Sequence, residues 1–100
     1  MEVIINQEEG KTYVKLTGRL DTTNTTAFQA DIEPLFTMEH PDIELDCTDM
    51  EYTSSQGLRA FLMLQKSVSA RGGKLVMTNM KPQVREVFDI TGFSTIINIR

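Results

Sequence analysis

The sequence predicts an α/β fold: a small mixed β-sheet with parallel crossovers and an N-terminal antiparallel hairpin, packed with α-helices. Two observations predict it. The chain begins with two consecutive β-favouring runs, and from residue 21 onward strand patterns alternate with helix patterns. Such alternation is typical of parallel sheets, because each helix returns the chain to the edge where the next parallel strand begins. A chain of 100 residues has the size of one domain with a single core, and we expect one domain over residues 1–100.

Composition and charge exclude several classes of protein. The 10 Lys and Arg residues are outnumbered by 14 Asp and Glu residues, so the net charge is −4. Nucleic acid is therefore not an expected partner, because phosphate backbones bind clustered cations. The single cysteine, Cys47, excludes an internal disulfide. The first ten residues lack a signal-peptide pattern, and no apolar run approaches the roughly 20 residues of a membrane span. We expect a cytoplasmic protein without direct membrane insertion.

The N-terminal segment predicts a hairpin. Val3–Asn6 and Thr12–Thr17 favour β-structure, and the second run alternates polar with apolar side chains. The segment between them, Glu8–Gly10, contains the glycine expected of a turn. We therefore expect two antiparallel strands.

The next segment predicts a helix with an interruption. The residues from Gly18 to Asp21 close the second strand, and Asp21–Asn24 offers side chains that can cap a helix. Apolar residues then recur at helical spacing: Phe28, Ile32, Leu35 and Phe36. Pro34 lies within this pattern and removes a helical hydrogen bond, so we expect a break near Glu33.

The remaining elements follow in alternation. A half-buried strand containing Ile43, Leu45 and Cys47 is expected to end near Thr48. A helix with a broad apolar stripe should begin near Leu58 and end at Arg71–Gly73, where glycine suits the left-handed cap. The later elements are then a strand at Lys74–Thr78, a helix from Pro82 to Gly92 and a final strand or extended segment at residues 94–99.

The segment YTSSQGLR, residues 52–59, places two adjacent serines in the predicted loop before the second helix. One interpretation is capping, because serine oxygens accept the unpaired N–H groups of a helix start. The other is modification. A helix N-terminus tolerates negative charge, and a phosphate beside Asp49 and Glu51 would change what this surface can bind. Local chemistry leaves open which serine serves which purpose.

No other residues predict catalysis or a cofactor. His40 is expected in a surface loop, and Cys47 as a small buried side chain. No Cys, His and Asp combination has metal-ligand spacing, and no motif places His40 near Ser54 or Ser55. Gly72 and Gly73 lack the pattern of a phosphate-binding loop. We expect no metal, no cofactor and no enzyme activity.

Three segments in order carry a resemblance that covers nearly the whole chain: GRLDTTNT, DCTDMEYTSSQGLR and RGGKLVMTNMKPQVREVFDITGF. Their most specific parts are Gly18–Asp21, Ser54–Leu58 and Phe88–Gly92. With these motifs at matching distances, the sequence resembles the STAS domain of bacterial anti-sigma factor antagonists. The resemblance implies the STAS fold and a regulatory binding protein.

By its place in the motif, the resemblance implies that Ser55 is the phosphorylated serine. It implies that a GHKL-type serine kinase, itself an anti-sigma factor, phosphorylates this residue with ATP, and that a PP2C-type phosphatase reverses the modification. It further implies that the unmodified protein binds the kinase and frees a sigma factor, and that the phosphorylated protein dissociates from the kinase. Ser54 stands where an acidic residue is common in the family, and Gln56 where Ser or Thr is common.

Partner contacts are expected around Ser55 and in the loop that the resemblance places beside it. Local chemistry interprets Asp21 as a turn or capping residue. It interprets Arg59 as a solvated residue of the first helical turn that could meet an acidic patch. The predicted docking residues are Asp21, Thr22, Thr23, Ser54, Gln56, Gly57, Leu58 and Arg59.

Two other functions remain open at this point. A STAS protein can serve as the accessory subunit of an ABC-type lipid transporter, bind its ATPase and need no phosphoserine. A serine hydrolase acting through Ser54 or Ser55 is the enzymatic alternative, although the sequence supplies no convincing base or oxyanion site.

Overall fold

In a computed structural model that describes residues 1–100, five strands form one sheet in the order β1-β2-β3-β4-β5. The strands are β1 Glu2–Glu8, β2 Lys11–Leu20, β3 Asp42–Thr53, β4 Lys74–Thr78 and β5 Asn98–Ile99. The helices are α1 Thr25–Asp31, α2 Ser55–Ala70 and α3 Pro82–Ile90, with 3-10 turns at Glu33–Phe36 and Phe93–Thr95. Only β1 and β2 pair antiparallel. The predicted mixed sheet with an N-terminal hairpin is therefore confirmed.

All three helices contribute to one hydrophobic core against the sheet. Phe28 of α1 lies edge-on to Phe61 of α2, with ring centroids 5.4 Å apart, and Phe61 lies 6.1 Å from Phe88 of α3. Three parallel crossovers that advance in the same direction place their helices on the same face when each is right-handed. The longest helix, α2, has 16 residues, and no helix combines the length and apolar character needed to cross a bilayer.

The hairpin and the helix break follow from single residues. Glu8 pairs with Lys11, so only Glu9 and Gly10 form the turn, and both have positive φ, 49° and 81°. Two consecutive positive φ values are the geometry of a type I′ turn, whose twist suits a hairpin. Further along, α1 ends at Asp31 and the chain continues as a 3-10 turn that contains Pro34. The predicted break is confirmed.

The third strand is longer than predicted, because it continues to Thr53 rather than ending near Thr48. Its pairing with β2 shifts twice, and each shift places one extra residue in β3. Extra residues of this kind form β-bulges, which interrupt the alternation of side chains. The inward-facing residues are consequently spaced by two and then by three: Ile43, Leu45, Cys47, Met50 and Thr53. A period of two cannot detect such a strand.

The C-terminal segment also differs from its prediction. Residues 94–99 were expected to be extended, whereas the 3-10 turn Phe93–Thr95 precedes a strand of only two residues, Asn98–Ile99. Gly92 has φ 80° and separates this turn from α3. β4 therefore pairs with only two residues of the C-terminal segment.

Arg71 fastens the end of α2 to the segment before β3. Its guanidinium donates to the carbonyl oxygens of Leu35, at 2.8 Å, and of Met38. The predicted glycine cap lies next to it, where the N–H of Gly73 donates to Val68 O at 2.9 Å and Gly72 has φ 70°. A helix end held in this way leaves few carbonyl groups unpaired.

We expect Arg71→Met to lower the free energy of unfolding by about 1–3 kcal/mol, because two carbonyl oxygens lose their donor. Chemical denaturation would measure the loss. Lys66→Met on the same helix is the matched control. Lys66 is exposed and makes no ion pair or hydrogen bond, so its change should stay within about 0.5 kcal/mol. Equal losses of unfolding free energy in the two variants would show that the hydrogen bonds of Arg71 to Leu35 and Met38 do not stabilise the protein.

Candidate functional site

The two serines lie where β3 passes directly into α2. Thr53 is the last residue of β3 and Ser55 the first of α2, so Ser54 is the whole connection. The N–H of Ser54 donates to Leu20 O at 2.8 Å, which joins the connection to the end of β2. The prediction of an open loop before the helix was wrong, because β3 runs five residues further than its alternation indicates.

The two adjacent serine hydroxyls have different surroundings. Ser54 is the N-cap of α2, and its Oγ accepts from the N–H of Gly57 at 3.2 Å. Ser55 occupies the first helical position, is exposed, and its hydroxyl makes no hydrogen bond within the chain. Ser54 therefore caps α2, whereas the Ser55 hydroxyl is free.

Gly57 and Leu58 hold the start of α2 against the sheet. A Cβ atom on Gly57 would lie 2.5 Å from Thr53 Oγ1 and 2.7 Å from Leu20 Cδ2, distances too short for van der Waals contact. Leu58 is only 1% exposed. Both residues were predicted to contact a partner, but neither presents side-chain surface. Their place in the structure is to seat the helix.

The loop after β2 is fixed by its own side chains. Asp21 Oδ1 accepts hydrogen bonds from the hydroxyl and the N–H of Thr23, the latter at 2.9 Å. The Thr23 hydroxyl in particular holds the pKa of Asp21 below its ordinary value. Asn24 is the N-cap of α1, yet its side chain does not cap the helix. Instead it accepts from Asp21 N–H at 2.9 Å and donates to Arg19 O at 2.8 Å.

The structure brings the predicted site residues to one end of the sheet. Leu20 precedes Asp21 and its carbonyl binds Ser54, so the two loops are neighbours. Asp21 and Ser54 are half-buried. The predicted residues with exposed side chains are Thr22, Thr23, Ser55, Gln56 and Arg59.

The ends of β2 and β3 also carry a cation–π pair that the sequence did not predict. Arg19 pairs in register with Tyr52, and the guanidinium carbon lies 4.5 Å from the centroid of the tyrosine ring. A cation over an aromatic face is attracted by the ring's electrons. Arg19 and Tyr52 are exposed and immediately precede the buried Leu20 and Thr53, so their side chains lie on the face of the sheet opposite to α2. The pairing of Arg19 with Tyr52 could not be predicted from the sequence, because it depends on the second bulge of β3, between Met50 and Tyr52.

Other reactive side chains lie away from the site. His40 is exposed before β3, whereas Ser54 follows its last residue. The 12 residues of β3 therefore separate the two, which lie at opposite ends of that strand. Burial raises the pKa of Cys47 to about 12, and the nearby Asp46 charge adds to the effect. The Cys47 thiol therefore stays protonated at neutral pH and lies in the core.

Residues 2–100 match the STAS domain family. The chain is 30% identical over 99 residues to BtrV of Bordetella bronchiseptica, which is named as a candidate anti-sigma factor antagonist, and covers 85% of it. It is 29% identical to the anti-sigma-B factor antagonist of Bacillus subtilis and covers 90% of that protein.

The fold is similar to that of SpoIIAA, an anti-sigma factor antagonist solved in its unphosphorylated form. The TM-score is 0.80 at 20% identity, over 99% of this chain and 88% of that one. The phosphorylated form of the Bacillus protein SpoIIAA matches over 99% of this chain and 91% of that one, with a TM-score of 0.72 at 17% identity.

We expect Ser54→Ala to cost about 1 kcal/mol of stability through loss of the helix cap. Ser55→Ala should stay within about 0.5 kcal/mol, because the Ser55 hydroxyl has no partner to lose. Thermal and chemical denaturation of the two variants would measure the difference. A larger loss for Ser55→Ala would reverse the assignment of the two hydroxyls.

Gly57→Ala should destabilise the protein by about 1–3 kcal/mol, because the added methyl group overlaps Thr53 and Leu20. This loss would appear although alanine favours helices over glycine by about 1 kcal/mol. Gln56→Ala, at the adjacent exposed position, is the control. Unchanged or increased stability in Gly57→Ala would show that α2 does not pack this closely.

Proposed function

This chain belongs to the STAS domain family, and we propose that it is an anti-sigma factor antagonist controlled by phosphorylation of Ser55. The observation that carries the proposal is the free, exposed Ser55 hydroxyl at the start of α2, beside a second serine that already caps the helix. The names of the similar proteins support the same function. SpoIIAA offers a precedent for a related fold that exists in both states.

The proposed partners are a GHKL-type serine kinase that acts as the anti-sigma factor, and a PP2C-type phosphatase. Ser55 Oγ attacks the γ-phosphorus of ATP held by the kinase. The Oγ–P bond forms while the bond from the γ-phosphorus to the bridging oxygen breaks, ADP leaves, and the hydroxyl proton passes to a base of the kinase. In the reverse reaction water attacks phosphorus, inorganic phosphate leaves and Ser55 regains its proton. The antagonist supplies the substrate hydroxyl and no catalytic group.

The exposed side chains of the candidate site include three neutral ones that a partner can cover at little electrostatic cost, and one cation, Arg59. The neutral ones are Thr22, Thr23 and Gln56. A phosphate adds about −1.5 to −2 charges at neutral pH. It would stand near Asp21, whose low pKa keeps that carboxylate ionised. Moving the added charge from water into the interface is costly unless the kinase supplies a group that pairs with it, so the phosphorylated protein leaves the kinase. A sigma factor can then bind the kinase again.

The other functions have weaker support. An accessory subunit of an ABC-type lipid transporter is not favoured, because the similar proteins described above are named as anti-sigma factor antagonists. A hydrolase would need a base near Ser55, and His40 lies at the opposite end of β3. We therefore propose a regulatory, non-enzymatic protein that works where its kinase and sigma factor work, in the cytoplasm.

Incubation with ATP and each candidate kinase of the same genome, followed by intact-protein mass spectrometry, tests the proposal. We expect one phosphate on the wild type and on Ser54→Ala, and none on Ser55→Ala. Fragmentation should place the phosphate on Ser55. No phosphate with any active kinase, or a phosphate on Ser54, would count against the mechanism.

For binding, Ser55→Asp should weaken the complex with that kinase, and Ser55→Ala should retain wild-type affinity. A cost of about 3 kcal/mol corresponds to roughly two orders of magnitude in the dissociation constant. Calorimetry with ADP-loaded kinase would measure both variants. Equal affinities would show that negative charge at this position does not release the partner.

A further inference from the structure

Most cations of this chain are already engaged. Of its 10 Lys and Arg residues, four form salt bridges with carboxylates. Arg19 stacks on Tyr52, and Arg71 binds backbone carbonyls. The cations without such a partner are Arg59, Lys66, Lys74 and Arg100. Among these, Arg59 is the one nearest in sequence to Ser55.

The spacing of Ser55 and Arg59 puts both side chains on one face of α2, one turn apart. Both side chains are exposed. The sequence of α2, SQGLRAFLMLQKSVSA, contains no acidic residue, so no carboxylate of this helix competes for Arg59. An anion four residues before a cation is the favourable order on a helix. The planar guanidinium also matches the oxygens of a phosphate.

We propose that a phosphate on Ser55 binds Arg59 of the same helix and thereby withdraws Arg59 from the surface offered to the partner. This inference rests on the proposed phosphorylation and deepens it. In the unmodified protein Arg59 is a free cation next to Ser55, suited to a carboxylate on the partner. Phosphorylation then does two things: it adds a charge and it occupies the guanidinium.

The amides of the first turn of α2 favour the same placement. A helix start leaves N–H groups unpaired and carries positive partial charge. Ser54 Oγ takes the N–H of Gly57. Because Ser55 is the first residue of α2, a phosphate on it is near the unpaired N–H groups of the helix start and one turn before Arg59. Both stabilise its dianion, and the helix start is present whether or not Arg59 is.

The test uses the full chain with phosphoserine incorporated genetically at position 55, so that no kinase is needed. A ³¹P NMR titration measures the second pKa of the phosphate, which is about 6 when unperturbed. Because a cation favours the dianion, pairing lowers this pKa. We expect the wild type to titrate about 0.3 pH units below Arg59→Gln, a shift typical of a surface pair at this spacing. The difference should fall when ionic strength is raised to about 1 M.

Two variants make the test specific. Lys66→Gln removes a free cation of the same helix that lies 11 residues beyond Ser55, and should leave the phosphate pKa at the wild-type value. Arg59→Lys retains the charge without the planar fork, and should fall between wild type and Arg59→Gln. An identical pKa in wild type and Arg59→Gln would overturn the proposal, as would an equal shift in Lys66→Gln.

The phosphate is installed without a kinase, so either proposal can fail alone. A lowered pKa in a protein that no kinase modifies would remove the proposed function and leave the pairing intact. If a kinase modifies Ser55 but the phosphate pKa is the same in wild type and Arg59→Gln, the proposed function stands and the pairing with Arg59 is overturned.

Discussion

The close seating of the first turn of α2 on the ends of β2 and β3 is the constraint on which the rest of the site depends. Gly57 lies so near Leu20 and Thr53 that a methyl group does not fit. The N–H of Ser54 reaches the carbonyl of Leu20 at 2.8 Å. With the helix start fixed at this distance, Ser54 must cap, Leu58 must point inward and Ser55 must face solvent. The exposure of the free Ser55 hydroxyl therefore follows from backbone packing.

The second half of β3, which leads to this point, contains two bulges. Each adds one residue opposite β2 and shifts the alternation of side chains by one. The two shifts together restore the alternation, so Thr53 faces inward as a regular strand from Ile43 would also place it, and Met50 becomes the one inward residue between Cys47 and Thr53. The same irregularity aligns Tyr52 with Arg19. The bulges thus determine which residue of β3 lies next to Arg19 on the exposed face of the sheet.

Regular elements could be predicted from the sequence because their signals are local. The hairpin glycine, the break at Pro34, the cap at Gly72 and the helix start at Pro82 each depend on the backbone preference of one residue. The end of β3 could not be predicted, because bulges arise from pairing with a distant strand. The capping of α1 was similarly misjudged. The Asn24 side chain binds Asp21 and Arg19, contacts that only the folded loop provides.

For the candidate site, the motifs grouped residues that the structure brings to one end of the sheet, but the sequence could not separate inward from outward residues. Gly57 and Leu58 are part of the same motif as Ser55, yet they are buried. Because α2 begins at Ser55, its helical repeat turns Gly57 and Leu58 toward the sheet. The sequence did not predict this start, since the extension of β3 to Thr53 was not predicted either. Asp21, Thr22 and Thr23 lie beside the serines as predicted. The hydrogen bond from Ser54 N–H to Leu20 O joins the two segments.

The position of Ser55 within a regular helix limits what a protein that binds this residue can contact. Its sequence neighbours Ser54 and Gly57 are turned toward the protein, and the exposed residues around it come from two separate segments. A short peptide with the same letters would not present this arrangement. Phosphorylation of Ser55 as proposed would therefore require the folded chain, and a copy that has lost its fold would not be a substrate.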